Sequence, residues 1–369
     1  MQRINNCCWK TLLKFNTLIT LTIAALMLFS FPLGTYIIFI QSSNHALSDT
    51  YILIPMPIKI ELNVYYLFII AWCTYLILFA IILLKPNNIV KVTLSIIRGN
   101  YDDDNRKLKD NILSINNKNN NKYTAIIDRN LLMVTIAWFS IFILASRGID
   151  AIQSAFGITI GSLESEYDNY IRYFIDASTA PLKEEFGFRV MLIGLPAYLF
   201  LAKHNASLAS TLWHPYSNID VNMKRKRREG VIAFIIIISA LLFALSHILF
   251  SSGWGYGKIS QAMLGGLILG WLYYRYGFHT AVILHWTINY MLLAYLLFNN
   301  GIVSSEYSSS TTLLQYNCNN TVIYIIDLLT LINGIITLAI ILRYNLKSYI
   351  VRLSTWFKLL VYLIFISLR

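Results

Sequence analysis

The sequence is poor in several features that soluble proteins depend on. Only 13% of its 369 residues are charged, whereas a soluble domain carries about 25%, so a fully water-exposed surface is excluded. No His-Glu-x-x-His zinc motif and no Gly-x-Gly-Asp aspartyl motif occur, which excludes two intramembrane protease chemistries. The four cysteines show neither metal-site spacing nor a disulfide framework; they are Cys7, Cys8, Cys73 and Cys318.

Hydrophobic residues, by contrast, make up 57% of the chain and come in long blocks. A helix needs about 20 apolar residues to cross the roughly 30 Å hydrocarbon core of a bilayer. We therefore predict an all-α, polytopic membrane protein with about eight transmembrane helices. The predicted spans are 15–40, 63–85, 130–148, 170–202, 231–250, 259–276, 279–299 and 321–343. A ninth apolar segment, 349–368, either spans the membrane or lies in its interface.

The basic residues lie in alternate gaps between these blocks, and the net charge is +12. The N-terminus and the loops 86–129 and 203–229 are rich in Lys and Arg. The loops with few or none of them are 41–62, 149–169 and 300–320. The positive-inside rule then predicts a multi-pass protein with a cytoplasmic N-terminus. We interpret the basic run Lys224–Arg228 as part of this topology signal, so the expected partners include membrane lipid but no nucleic acid.

Three regions are predicted along the chain. Residues 1–129 form an N-terminal two-span region whose Asn-rich loop, 100–124, is expected to be solvated. Residues 130–343 form the catalytic membrane core, and residues 344–369 form an amphipathic or spanning C-terminal segment. Within the core, Gly266-x-x-x-Gly270 favours close packing of two helices.

Ionisable residues inside the apolar blocks are the first functional signal, because a charge at membrane depth costs several kcal/mol. The fourth span contains Glu184, Glu185 and Arg189, and Pro181 suggests that a helix begins or kinks there. Glu185 and Arg189 are i and i+4, so they can pair on one helix face. Glu184 points about 100° away and is free to act as a general base. The alternative is a structural ion pair with a spare acid near a helix start.

Two further motifs lie on separate apolar segments. His247 ends the fifth span and follows Phe243 by four residues. In the seventh span His285 and Asn289 are one turn apart, and two aligned donors suit an oxyanion hole. Structural roles are the alternatives, namely a satisfied histidine on the fifth span and interhelical hydrogen bonds on the seventh. Together, a base, an ion pair, a second imidazole and a donor pair are the inventory for activating water against a carbonyl.

The order Glu-Glu-x-x-x-Arg, Phe-x-x-x-His and His-x-x-x-Asn resembles the CPBP family over about 170–299. This family comprises the CAAX-processing endopeptidases and the Abi-like bacteriocin-processing or immunity membrane proteins. The resemblance implies a glutamate-dependent intramembrane endopeptidase built on about eight helices. Two departures are a long hydrophilic insertion, 203–229, between the first two motifs and Val190 where the family often has Gly.

The resemblance also implies a role for each motif residue. Glu184 with His247 would activate water, and His285 with Asn289 would stabilise the oxyanion. The supporting residues would be Glu185, Arg189 and Phe243, the first two organising the first helix. On the predicted topology, however, Glu184 and His247 lie toward the non-cytoplasmic ends of their helices and His285 nearer the cytoplasmic end. These residues could then meet only near mid-membrane.

Several alternatives stay open from the sequence. The family has also been described as metalloproteases, and Glu184, His247 and His285 could hold zinc; we favour the scheme without a metal. The substrate would be a peptide or protein, with a prenylated C-terminal Cys as one candidate. The rival functions are a non-catalytic immunity or scaffold protein and a proton-coupled transporter, since buried Glu and His also serve proton relays.

Overall fold

The computed structural model of the protein describes nine stretches of the chain. They are residues 2–41, 50–53, 58–61, 64–98, 130–161, 170–220, 222–250, 253–300 and 321–342. The predictions for the Asn-rich loop and for the segment 349–368 fall outside these residues. The described residues are almost entirely helical.

The elements follow one another in a simple order. The helices before the candidate motifs are α1 (Gln2–Tyr36), α2 (Val64–Leu84), α3 (Ile89–Ile97) and α4 (Leu131–Ala155). The motif-bearing part continues with α5 (Tyr170–Glu185), α6 (Leu195–Leu201), α7 (Leu208–Trp213), α8 (Pro215–Asn218), α9 (Arg225–Leu249), α10 (Lys258–Tyr276), α11 (Phe278–Trp286) and α12 (Leu292–Asn300). A last helix, α13, runs over Thr321–Leu342. Three π-helical segments, Ile37–Gln41, Phe186–Gly194 and Thr287–Met291, directly extend α1, α5 and α11.

Six helical segments of the described chain are long and apolar enough to cross a membrane. They are Thr11–Phe39, Tyr66–Leu84, Leu131–Ala155, Arg225–Leu249, Phe278–Phe298 and Thr321–Leu342. These correspond to six of the eight predicted spans and support an integral, multi-pass membrane protein. The other two, 170–202 and 259–276, are also largely helical, but they fall short of the apolar character of the six. One of them carries the charged motif.

Some predicted boundaries were wrong, for identifiable reasons. Helix α4 continues seven residues past the predicted end at 148, because polar groups of its last turns find partners within the protein. Pro181 lies inside α5 rather than at its start. The insertion 203–229 contains α7 and α8, and its basic run forms the start of α9. The loop 41–62 includes an antiparallel pair of strands, β1 (Thr50–Leu53) and β2 (Ile58–Glu61), with Thr50 opposite Glu61.

The described residues divide into two compact units of discontinuous chain. The first comprises Met1–Ala25, Ile81–Leu144 and Leu328–Arg369. Its buried polar contacts are neutral: Asn333 is fully buried and its Nδ2 donates to Ser140 Oγ over 2.9 Å. Asn130 caps α4, since its Oδ1 accepts from Leu132 N at 2.9 Å and Met133 N at 3.2 Å.

The second unit comprises Leu26–Ala80 and Ala145–Asp327 and contains all the motif residues. Helices α9 and α10 approach closely here. A Cβ on Gly266 would lie only 2.8 Å from the Cα of Ala240, so the approach depends on the missing side chain of glycine. This bears out the close packing expected at Gly266. Trp286 stacks on Phe31 and Tyr290, with ring centroids 4.6 and 4.9 Å apart. That aromatic stack fixes α11 at the residue next to His285.

Candidate active site

Two π-helical segments lie directly beside the motifs. Phe186–Gly194 begins immediately after Glu185 and includes Arg189, and Thr287–Met291 includes Asn289. A π turn holds one residue more than an α turn and therefore re-aims the side chains around it; such turns are rare and concentrate at functional sites. The local geometry of both helices thus departs from α where the motif residues must converge.

Glu185 is the centre of a buried charged cluster. Its Oε2 lies 3.1 Å from Arg189 Nε, and both side chains are 0% exposed, so the predicted i,i+4 contact is present. Its Oε1 accepts a hydrogen bond of 2.8 Å from His285 Nδ1. The Arg189 guanidinium carbon in turn lies 4.4 Å from the Phe243 ring centroid, a cation–π distance. This cluster joins residues of all three motifs.

Glu184 has a different environment from its neighbour. Its Oε2 lies 3.7 Å from His285 Nε2, and its side chain is 27% exposed. That oxygen is buried and has no hydrogen-bond partner among the described residues. Glu185 is therefore fully buried and held by an arginine and an imidazole, whereas Glu184 is partly exposed and its Oε2 has only the longer approach to the same imidazole.

His285 is oriented by both of its ring nitrogens. Because a carboxylate only accepts, Nδ1 must carry the proton that it donates to Glu185. Nε2 lies 3.3 Å from Asn289 Nδ2, so in the neutral ring it accepts from this amide. His285 can donate to an oxyanion only after Nε2 has also taken a proton. The sequence suggested His285 and Asn289 as two aligned donors. In the structure the Asn289 amide can donate at once, whereas His285 Nε2 must first be protonated.

His247 is fixed by its own helix. Its Nδ1 donates to the Phe243 carbonyl oxygen over 2.8 Å, which leaves Nε2 as an acceptor. Its ring packs edge-to-face on the Phe243 ring with centroids 4.8 Å apart, and the same Phe243 ring meets His285 at 5.9 Å. His247 also interacts electrostatically with Glu184. The second motif therefore lies against the other two.

The first and third motifs meet, as a common site requires. The third-motif histidine contacts both glutamates of the first motif, although 100 residues separate Glu185 from His285. This hydrogen bond was not predicted from the sequence, because the prediction assumed that both helices have regular α geometry.

Zinc would require Glu184, His247 and His285 to converge as ligands. Within the described part of the chain, no group of three or more His, Cys, Asp or Glu side chains could hold a metal ion. At His285 one nitrogen is bonded to Glu185 and the other faces the Asn289 amide.

Sequence reasoning overlooked a lysine beside the site. Lys258, the first residue of α10, interacts electrostatically with Glu184 and His247. Its Nζ lies 3.9 Å from the centroid of the Trp254 ring. The available signal was its position directly after Gly253-Trp254-Gly255-Tyr256-Gly257, between two predicted spans.

Comparison with known protein families agrees with this geometry. Residues 167–291 match the family model described as type II CAAX prenyl endopeptidase Rce1-like. This match confirms the resemblance to the CAAX-processing proteases that the motifs carried, and it covers all seven predicted site residues. It supports a membrane peptidase that acts on a peptide or protein. No curated protein and no solved structure matches the chain.

Proposed function

We propose that the protein is an intramembrane endopeptidase of the CAAX-processing type that hydrolyses a peptide bond with an activated water. The observation that carries the proposal is the contrast between the two adjacent glutamates. Glu185 is fully buried, with Oε1 hydrogen-bonded to His285 and Oε2 ion-paired with Arg189, whereas the Glu184 side chain is 27% exposed and its Oε2 lies 3.7 Å from His285 Nε2. A structural ion pair explains Glu185, but it gives Glu184 no role.

Water activation is assigned to Glu184 and His247. The Glu184 carboxylate and the unprotonated Nε2 of His247 are both acceptors, so together they can accept both hydrogens of one water molecule. The oxygen lone pair of that water then points away from both groups, toward a substrate carbonyl carbon. As the C–O bond forms, one proton passes from water to Glu184.

Stabilisation of the oxyanion is assigned to Asn289, with His285 as a second donor when both its nitrogens are protonated. The negative charge develops on the former carbonyl oxygen and accepts the hydrogen bond of the Asn289 amide. Glu184 then returns its proton to the leaving nitrogen, the C–N bond breaks, and a carboxylic acid and an amine are released. The acid passes its remaining water-derived proton to the amine, which leaves a carboxylate and an ammonium group. Glu185 and Arg189 hold His285 throughout.

The substrate in this proposal is a peptide or protein, with a prenylated C-terminal Cys as the candidate recognition feature. The proposed orientation places the N-terminus of the protease itself in the cytoplasm. No metal is part of the scheme. Nothing in the described geometry favours the transporter or the immunity scaffold over the peptidase, so cleavage is the property that decides between them.

The experiment is a cleavage screen with the purified full-length protein in detergent. We expect wild-type protein to cleave members of a peptide library that includes peptides with a prenylated C-terminal Cys. Glu184→Gln keeps the shape and removes the base, so cleavage should fall by at least about 10²–10⁴-fold while the melting temperature changes little. Glu229→Gln is the matched control, because Glu229 is 55% exposed and pairs only with Arg225 among the contacts described.

One result would reject the peptidase function, and another would reject the role of Glu184 in it. The first is a folded wild-type protein that cleaves no peptide in the screen, which would favour a scaffold or carrier. The second is near-wild-type cleavage by Glu184→Gln, which would leave the peptidase assignment intact but remove the base from the mechanism.

A further inference from the structure

Lys258 carries a positive charge at the N-terminus of a helix, a position that disfavours cations. As the first residue of α10 it lies at a helix N-terminus, where the helix dipole favours acids over bases. Its side chain is partly buried, and the next residue, Ile259, packs against the buried cluster that contains Phe188 and Phe243. Its ammonium also interacts electrostatically with Glu184 and His247. A charge that is unfavourable for its own helix and lies beside a candidate active site indicates a role in that site.

The backbone that carries Lys258 is held rigidly on one side. Gly255 N donates to Ile160 O at 2.7 Å, and Gly257 N donates to Thr159 O at 3.1 Å. A Cβ on Gly257 would lie 2.7 Å from that same Thr159 oxygen, and Gly161 has a φ of +75°. This close approach of two chain segments requires glycine on both. Lys258 therefore follows a turn whose conformation is fixed by backbone hydrogen bonds and by glycines.

Side chains from α4 hold the same turn from another direction. Gln153 Nε2 uses its two hydrogens to donate to Gly257 O at 2.9 Å and to Ser260 Oγ at 2.7 Å. Gln261 Nε2 donates to Asp150 Oδ1. The first turn of α10 is thus fixed on both sides of Lys258, which restricts where its ammonium can reach.

Among the described residues the Lys258 ammonium has an aromatic contact but no ion pair. Its Nζ lies 3.9 Å from the Trp254 ring centroid. Among the described residues no carboxylate lies within the 4.0 Å of a salt bridge to it. The two acids that interact with it electrostatically, Asp150 and Glu184, have other contacts, with Gln261 and His285 respectively. Within the part of the chain that the structure describes, this positive charge therefore has no direct anionic partner.

We propose that Lys258 forms a carboxylate-binding subsite for the peptide substrate, an inference that rests on the proposed peptidase function. An ammonium–carboxylate pair is charge-assisted and gains strength where water is excluded, as the Trp254 ring excludes it on one side. The carboxylate has two sources in a peptide, its C-terminus or an Asp or Glu side chain. Both have the chemistry that Lys258 recognises.

The test uses full-length protein and one peptide made in three forms. The peptide is fluorescein-labelled and ends in a prenylated Cys followed by three apolar residues. It is synthesised as the C-terminal acid, as the C-terminal amide, and as the amide with Asp replacing one of the three apolar residues. KM and kcat are measured for wild type and Lys258→Met, and binding is measured by fluorescence polarisation on Glu184→Gln and on Glu184→Gln combined with Lys258→Met.

We expect wild type to show a KM about tenfold lower for one carboxylate form than for the plain amide, the size of one charge-assisted contact. The form that is favoured identifies the source of the carboxylate. Lys258→Met should abolish this difference in KM. The exposed Lys226→Met is the matched control, and Asp150→Asn should widen the preference, since it removes a competing acid.

Three outcomes would overturn the subsite. These are equal KM values for all three forms, a preference that survives Lys258→Met, and an equal loss of kcat on all forms in Lys258→Met, which would mean that the lysine acts through Glu184 and His247. If no form is cleaved, the proposed function fails, and the binding data still decide the subsite: an acid preference that disappears without Lys258 supports it, and equal binding of all forms rejects it.

Discussion

The two units of the protein bury polar side chains in different ways. In the first unit the buried polar contacts described are neutral, as between Asn333 and Ser140. In the second unit an arginine, a glutamate and a histidine are buried together. Neutral hydrogen bonds between membrane helices each contribute roughly 0.6 kcal/mol on average and serve packing. Buried charges cost several kcal/mol, so their presence in one unit indicates chemistry rather than packing.

The largest expected effect comes from breaking the charged cluster. Arg189→Ala leaves Glu185 buried without its cation, a loss of roughly 3–5 kcal/mol, and His285 loses its fixed orientation. We expect low expression, a much lower melting temperature and no cleavage. Arg225→Ala removes an arginine with the same i,i+4 spacing to a glutamate, but that pair is exposed. This control should change stability by less than about 1 kcal/mol; similar losses in both variants would contradict the comparison.

A smaller effect, confined to activity, is expected at Asn289. Asn289→Ala removes the amide assigned to the oxyanion, so kcat should fall by about 10²–10³-fold with little change in melting temperature. The contact with His285 Nε2 is long, at 3.3 Å, and its loss should cost little stability. A variant that is strongly destabilised but retains kcat would show that Asn289 is a packing residue like those of the first unit.

A substitution in the first unit should lower stability without lowering activity. Asn333→Ala removes a fully buried amide and its hydrogen bond to Ser140, at a cost of about 1–2 kcal/mol. The melting temperature should fall while KM and kcat stay at wild-type values. Thr22→Ala serves as the control, since its hydroxyl bonds only to the Leu18 carbonyl of its own helix at an exposed position. A loss of activity that exceeds the loss of folded protein would end the distinction between the units.

The smallest expected effect is that of a chelator. In the proposed scheme phenanthroline leaves cleavage unchanged, and elemental analysis of active protein finds no stoichiometric zinc. The reason is that, among the described residues, no group of three or more His, Cys, Asp or Glu side chains could hold a metal ion. About one equivalent of zinc, lost together with activity in His285→Ala, would reverse this choice in favour of a zinc peptidase.

The sequence could predict what depends on local periodicity. The helical spans follow from apolar blocks, and the contact of Glu185 with Arg189 follows from their i,i+4 spacing. The hydrogen bond from His285 to Glu185 was not predictable, because it joins residues 100 positions apart next to π turns that no residue propensity marks. The extension of α4 past 148 was missed for a similar reason, since its polar residues are stabilised by partners distant in sequence, such as Gln261 for Asp150.

The π-helical segments also decide how the chain tolerates insertions and deletions. A substitution changes one side chain, but removing one residue from Phe186–Gly194 would let α geometry return and would change which side chains of the segment share a helix face. Deletion of Gly187, for example, would bring Arg189 to i+3 from Glu185. The insertion between residues 203 and 229 lies beyond this segment and leaves its phase intact. Length variation in homologous sequences should therefore be frequent in such connecting segments and absent between the two ends of each motif.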